Sequence, residues 1–367
     1  MKTLYVHIGT AKTGTTSIQN FCIDNQKVLN QKGYYYPRFP YRYEKVSPRR
    51  NGHFLLDDET KDRQGRFREA MDRIREAFEK YDNIILSEET IWSISKKARM
   101  GIFEALKEES IESGFQVKII VYFRRQDEYM SSSWSQDVKG GASGGSTWEE
   151  YVKSRKSLHK LKYGTGLKLL MKFWGKENVS VRRFDFKRFV GGSIYADFLD
   201  AVGLELTDEY EIAQFFQNTK LAGNTHEIMR IVNGMPDIDE EQRFFFRRAL
   251  ESFADLSGKE YPNAMFSKEE AEAFLKQYED ENRQVSEAYF NGEELFDTSA
   301  AKDLPKWQKD NPHMLDDTVR FICACYVRLM KENAKLRLEI DKLNGNDTLK
   351  HSVLTVGKKA LKKVKGK

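Results

Sequence analysis

Four short runs rich in β-branched and aromatic residues, TLYVHI (3–8), NIILS (83–87), VKIIVYF (117–123) and NVSVRRF (178–184), are separated by stretches with the spacing of amphipathic helices. Strands joined through helices pair in parallel, because each connection must cross back over the sheet. The expectation is an α/β fold of three layers, a central parallel sheet with helices on both faces. Helices are expected over 15–33, 62–81, 95–112 and 165–174 and at YADFLDAVGL (195–204), and helical patterns dominate from about 207 onward. The stretch holding GYYYPRFPYRYEK and NGHFLLDDE (33–59) reads as an irregular insertion, and KGGASGGST (139–147) as a flexible loop.

In such a sheet the carboxyl ends of all strands share one edge, where ligands bind, so the residues that follow each strand belong together. After the first strand comes GTAKTGTTS (9–17), after the second SEE (87–89), after the third RRQDEYMSSSW (124–134). The first loop opens a helix and is rich in glycine and hydroxyls around Lys12. Its N–H groups, the helix dipole and a movable cation suit a phosphate-like guest. A nucleotide-binding P-loop ends in Gly-Lys-Ser/Thr, whereas Lys12 stands two residues before Gly14. The second strand ends without a clear aspartate for Mg²⁺. The third loop supplies a second cationic point. Arg124 and Ser132 are eight residues apart, about 12 Å along a helix, so only a long side chain or a late helix start brings both to one group.

Taken together, these loops resemble the sulfotransferases that use 3′-phosphoadenosine 5′-phosphosulfate (PAPS), particularly the bacterial carbohydrate enzymes. YVHIGTAKTGTTSIQNF is similar to their 5′-phosphosulfate loop, and VYFRRQDEYMSSSW to their 3′-phosphate motif, in which an arginine precedes a serine by eight residues. The resemblance covers residues 1–200; FFQNTKLAGNTHEIMRIVN resembles a later block more weakly. It implies that Lys12, Thr13, Gly14, Thr15 and Thr16, with Ser17 beside them, cradle the 5′-phosphosulfate, and that Arg124 and Ser132 hold the 3′-phosphate. Two positions depart from the pattern: Ser17 stands where cytosolic members often carry a tryptophan, and Arg125-Gln126 replaces an asparagine-proline pair.

The implied reaction is in-line transfer of a sulfuryl group to a carbohydrate hydroxyl, with Lys12 neutralising charge on the leaving phosphate, release of 3′-phosphoadenosine 5′-phosphate (PAP) and no metal. A base for the acceptor hydroxyl is expected at Glu88, one residue beyond the second strand, with His53 and Glu89 as rivals. His7 reads as structural. The aromatic and basic stretch 33–43 suits either a groove for an anionic sugar or a packed insertion. A kinase acting on a small hydroxylated substrate and a non-catalytic scaffold are the competing readings.

The catalytic domain is expected over 1–300, followed by a helix over 316–345 and a basic tail over 346–367. In that helix Ile322, Tyr326, Leu329, Asn333, Leu336, Ile340 and Leu343 have heptad spacing, which suits either a parallel homodimer or packing on the helix's own domain. The chain has a formal net charge of +5, yet its last eighteen residues hold seven lysines and no acid. The slightly acidic remainder argues against a nucleic-acid surface, while the tail suits peripheral contact with an anionic membrane or a solvated end. No run of eighteen apolar residues is present, the apolar start is too short for a signal peptide, and three cysteines make no disulfide framework. A cytoplasmic location, possibly at the inner face of the membrane, is the expectation.

Overall fold

The computed structural model describes residues 1–57, 65–155, 159–212, 221, 223–257, 264–297 and 305–344. The basic tail (346–367) lies outside them, as do residues 215–220 and 222 of the later block. In chain order the elements are β1 (Thr3–His7), α1 (Thr15–Asp24), α2 (Gln26–Gln31), β2 (Tyr34–Tyr35), α3 (Arg66–Phe78), β3 (Asn83–Ser87), α4 (Thr90–Ser93), α5 (Lys96–Ser113), β4 (Gln116–Phe123) and α6 (Gln126–Gly140). Then follow α7 (Trp148–Arg155), α8 (Tyr163–Trp174), β5 (Val179–Arg183), α9 (Ile194–Ala201), α10 (Asn224–Asn233), α11 (Glu240–Ser257), α12 (Lys268–Lys276), α13 (Glu279–Tyr289) and α14 (Met314–Leu343).

The described residues fall into two compact units. One draws on Met1–Gln136, Thr147–Gln217 and Ala264–Lys306, the other on Asp137–Ser146, Asn218–Asn263 and Trp307–Lys367. Residues 137–146 and 218–263, inside the run 1–300 expected as one domain, thus group with the C-terminal helix.

The first unit holds a five-stranded sheet in the order β2-β3-β1-β4-β5, every pairing parallel. The four expected strands are present; the two-residue β2 is an edge strand inside the stretch read as irregular. Strand side chains alternate between two apolar cores. Leu4, Val6, Ile84, Leu86, Ile119 and Val121 meet Met71 of α3, Phe103 of α5 and Leu167 of α8. Tyr5, Ile85, Ile120 and Tyr122 meet Ile18 and Phe21 of α1 and Phe198 of α9. Burial of all five residues of β1 explains why Leu4, Tyr5 and Val6 run on as apolar residues instead of alternating with polar ones, and the three-layer expectation holds.

Two local expectations are corrected. The helix expected over 15–33 is broken at Asn25, whose Nδ2 donates to the carbonyls of Phe21 (3.0 Å) and Glu211 (2.8 Å) while its Oδ1 accepts from the Glu211 N–H (2.6 Å). The side chain competes with the helix for backbone groups and wins. Of the stretch 139–147, the first two residues belong to a helix and the turns that follow are held at one point. α6 runs to Gly140, Lys139 pairs with Glu251 (2.7 Å), and Arg230 of α10 donates to the Gly145 carbonyl (2.5 Å). No helix among the described residues is long and apolar enough to cross a membrane.

The sheet is tied to α9 by a buried polar contact: Tyr122 donates to Asp197 Oδ1 (2.7 Å), whose Oδ2 accepts from the Val190 N–H (3.0 Å). Tyr122→Phe leaves a buried acceptor without that donor and is expected to cost about 1–3 kcal/mol of stability, measured by denaturant unfolding.

Candidate active site

β1 lies between β3 and β4, so the chain departs from β1 toward one side of the sheet and the β3 to β4 connection crosses to the other. Such a reversal opens a crevice at the carboxyl ends of the strands. The loop from Gly9 to Gly14 lines it. Gly9 passes so close to the backbone of Glu89 that a Cβ would stand 2.8 Å from its carbonyl oxygen, which ties this loop to the end of β3. Gly14 caps α1 with φ 72°, and a Cβ there would run into Ile194. Thr13, fully buried, staples the loop by donating to the Thr10 carbonyl (2.5 Å).

Lys12 adopts φ 67°, a left-handed conformation that side chains seldom take and that costs about 1 kcal/mol or more. That strain is maintained by the surrounding bonds. The Lys12 carbonyl accepts from Arg124 Nη1 (3.0 Å), and its Nζ donates to Gln136 Oε1 of α6 (2.5 Å). No side chain caps α1, and the N–H groups of Thr15 and Thr16 in its first turn have no intrahelical acceptor. Thr15 is buried, Thr16 exposed and Ser17 half-buried. Backbone donors, the helix dipole and Lys12 therefore face one region, the makings of an anion site.

Arg124 bridges this loop to α6. Besides the Lys12 carbonyl it reaches Glu128 (3.2 Å), and its guanidinium lies 5.3 Å over the ring of Phe184. Glu128, Ser132 and Gln136 recur every four residues and share one face of α6. Arg124 and Lys12 touch the first and last of them, so half-buried Ser132 sits on the same face between the two cations. α6 begins at Gln126, two residues after Arg124. Arg125 is committed elsewhere, to Asp127 (2.7 and 3.0 Å) and the Asp297 carbonyl (3.0 Å).

At the end of β3 the carboxylate expected as a base is occupied. Glu88 is fully buried, and both of its oxygens bond Arg50. Oε1 also accepts from the Thr90 N–H (2.9 Å), and Oε2 lies 2.9 Å from His53 Nδ1. Burial pushes the Glu88 carboxyl up, but the bonds from His53 and Arg50 outweigh it and hold it below the usual value. Arg50, the Thr90 N–H and His53 thus meet both oxygens of the group expected as the base. His53, by contrast, is half-buried, its ring lies against Tyr43 (4.5 Å), and its Nε2 is engaged by no described residue. Glu89 accepts from Gln19 (3.0 Å) and lies 3.5 Å from Arg50.

Sequence reasoning missed Arg50 and Gln136. Arg50 lay in the stretch read as irregular, which is in fact anchored to β3 by Asn51. Its Nδ2 donates to the Ile85 carbonyl (2.9 Å) and its Oδ1 accepts from the Ser87 N–H (2.8 Å). That stretch is largely packed: Tyr36 is buried, and Phe39 stacks on Tyr41 and meets Phe54 edge-on. Arg38, Arg42, Lys45 and Arg49 are its exposed cations. Among the described residues no group of three or more His, Cys, Asp or Glu side chains is placed to hold a metal ion.

No family model matches the chain. A protein of Archaeoglobus fulgidus described as an "Uncharacterized protein" is 26% identical over 183 residues, which cover 49% of this chain and 47% of that one. The chain thus spans about half the length of the curated relative it matches. Among solved structures, a sulfotransferase from Alicyclobacillus acidocaldarius aligns over 63% of this chain and 93% of its own, with a TM-score of 0.35 and 14% identity.

His7, at the end of β1, is fully buried, bonded to Ser87 Oγ (3.0 Å), and burial pushes it down to about 4. The folded chain therefore favours neutral His7, so its contribution to stability is complete above an unfolded value near 6.5 and is lost as pH falls toward 4. Glu88, held below 4.5, adds a second loss below that pH. His7→Asn is expected to flatten the upper limb by up to about 3 kcal/mol, and Glu88→Gln the lower one, read from denaturant unfolding at a series of pH values.

Proposed function

We propose that this chain is a PAPS-dependent sulfotransferase that moves a sulfuryl group to a hydroxyl of a carbohydrate acceptor and releases PAP. The observation that carries the reading is the bond from Arg124 to the Lys12 carbonyl. Two anion-binding elements from the ends of different strands are joined to one another, as a ligand with a 5′-phosphosulfate and a 3′-phosphate on one ribose requires. Lys12, the first-turn N–H groups of α1 and the hydroxyls of Thr15, Thr16 and Ser17 hold the 5′ end. Arg124 and Ser132 hold the 3′-phosphate.

As the acceptor oxygen bonds to sulfur, the bond between sulfur and the bridging oxygen breaks and negative charge gathers on the leaving phosphate. Lys12 neutralises that charge, an effect worth on the order of a hundredfold in rate or more. The hydroxyl proton passes to Nε2 of His53. Glu88 fixes the ring through Nδ1 and stabilises the imidazolium that forms, and Arg50 keeps Glu88 ionised and in place. Exposed Arg38, Arg42 and Arg49 in the same segment as His53 favour an acceptor that carries anionic groups. No step calls for a metal.

Calorimetric titration tests the donor. PAP is expected to bind without Mg²⁺ and more tightly than ADP, and Arg124→Ala to weaken PAP by about tenfold or more while leaving ADP nearly unchanged. Preference for ATP with Mg²⁺ would instead establish the kinase reading. His53→Ala is expected to lower transfer from PAPS to an anionic polysaccharide panel by about 10²–10⁴ with PAP affinity intact. Full transfer by that variant would remove His53 as the base.

A further inference from the structure

The longest helix of the second unit carries two stripes with different fates. α14 packs on its own unit through Asp317, Phe321 and Cys325, all buried, with Phe321 beside Phe246 of α11 and Arg328 over Phe245. About 100° further round, one residue along the helix, runs a second stripe. Leu315, Val319, Ile322, Tyr326, Leu329, Asn333, Leu336, Ile340 and Leu343 follow one another at alternating intervals of four and three residues along almost the whole helix. The heptad thus begins at Leu315, about two turns before the register visible from Ile322 onward. Each of its eight apolar members is exposed, from 45% at Leu329 to 86% at Leu343.

We propose that a second copy of this chain covers this stripe, in a parallel two-stranded coiled coil. Leucine occupies the d positions at 315, 329, 336 and 343, and β-branched residues take the a positions at 319 and 340, the combination that favours two strands. Asn333 is the single polar a residue. In a parallel coil in register it faces its own copy and can bond to it, whereas any other register buries it against hydrocarbon. Charge specifies the same partner. Glu332 at g stands five residues before Arg337 at e, the interval that brings the two together across a parallel dimer, twice by symmetry. Both are exposed.

The test uses the full chain and hydrodynamics, so it stands apart from the sulfotransferase reading. Sedimentation equilibrium at micromolar concentration is expected to give a dimer. Leu329→Lys with Leu336→Lys should raise the dimer dissociation constant by about a hundredfold or more without altering thermal unfolding of the monomer, because both side chains are exposed within it. Glu332→Lys alone should weaken the dimer by about tenfold, and adding Arg337→Glu should restore it, which a merely sticky surface would not do. Leu336→Cys, in a chain with Cys323→Ser, should form an interchain disulfide on mild oxidation. A wild-type monomer at tens of micromolar, a dimer that survives the double lysine substitution, or a charge swap that fails to restore association would each overturn the proposal.

Discussion

β1 is paired along all five of its residues with β3 on one side and β4 on the other, and this double ladder brings three strand ends into one crevice. The loop after β1 cannot move independently of its neighbours. Its glycine backbone touches Glu89 after β3, its Lys12 carbonyl holds Arg124 after β4, and the Lys12 ammonium reaches Gln136 on α6. The left-handed conformation at Lys12 is affordable because these contacts over-determine it. Elements distant in sequence are thereby tied to one another at the end of the sheet.

The second constraint is a buried charge. An isolated carboxylate inside the protein would cost several kcal/mol, and Glu88 persists as an ion because Arg50, the Thr90 N–H and His53 meet its oxygens. The segment that supplies Arg50 and His53 has little regular structure. Asn51 fastens it to the last turns of the β3 ladder in place of a further strand, so an irregular arm acquires the rigidity of the sheet. Order in Arg50 and Glu88 passes to the His53 ring through its Nδ1.

The second unit obeys a separate logic. Its α14 spends one stripe on its own packing and leaves the other exposed over about four heptads, more apolar surface than a solitary surface helix needs.

Much of this was legible in the sequence because it depends on short-range physics. Alternating strand and helix patterns dictated a parallel three-layer sheet, glycines at 9 and 14 marked a loop that opens a helix, and Lys12 and Arg124 were singled out as cations just past strand ends. The break at Asn25 and the anchored stretch 139–147 were not legible, since each is decided by bonds to residues far along the chain. The same holds at the candidate site. Sequence put Glu88 first as the base, with His53 and Glu89 as rivals, but gave no sign of what each group is bonded to, because burial and hydrogen bonding are set by residues far along the chain. Only the tertiary structure seats Arg50 and His53 on Glu88, because Asn51 fastens their segment to β3 by bonds that no local pattern encodes.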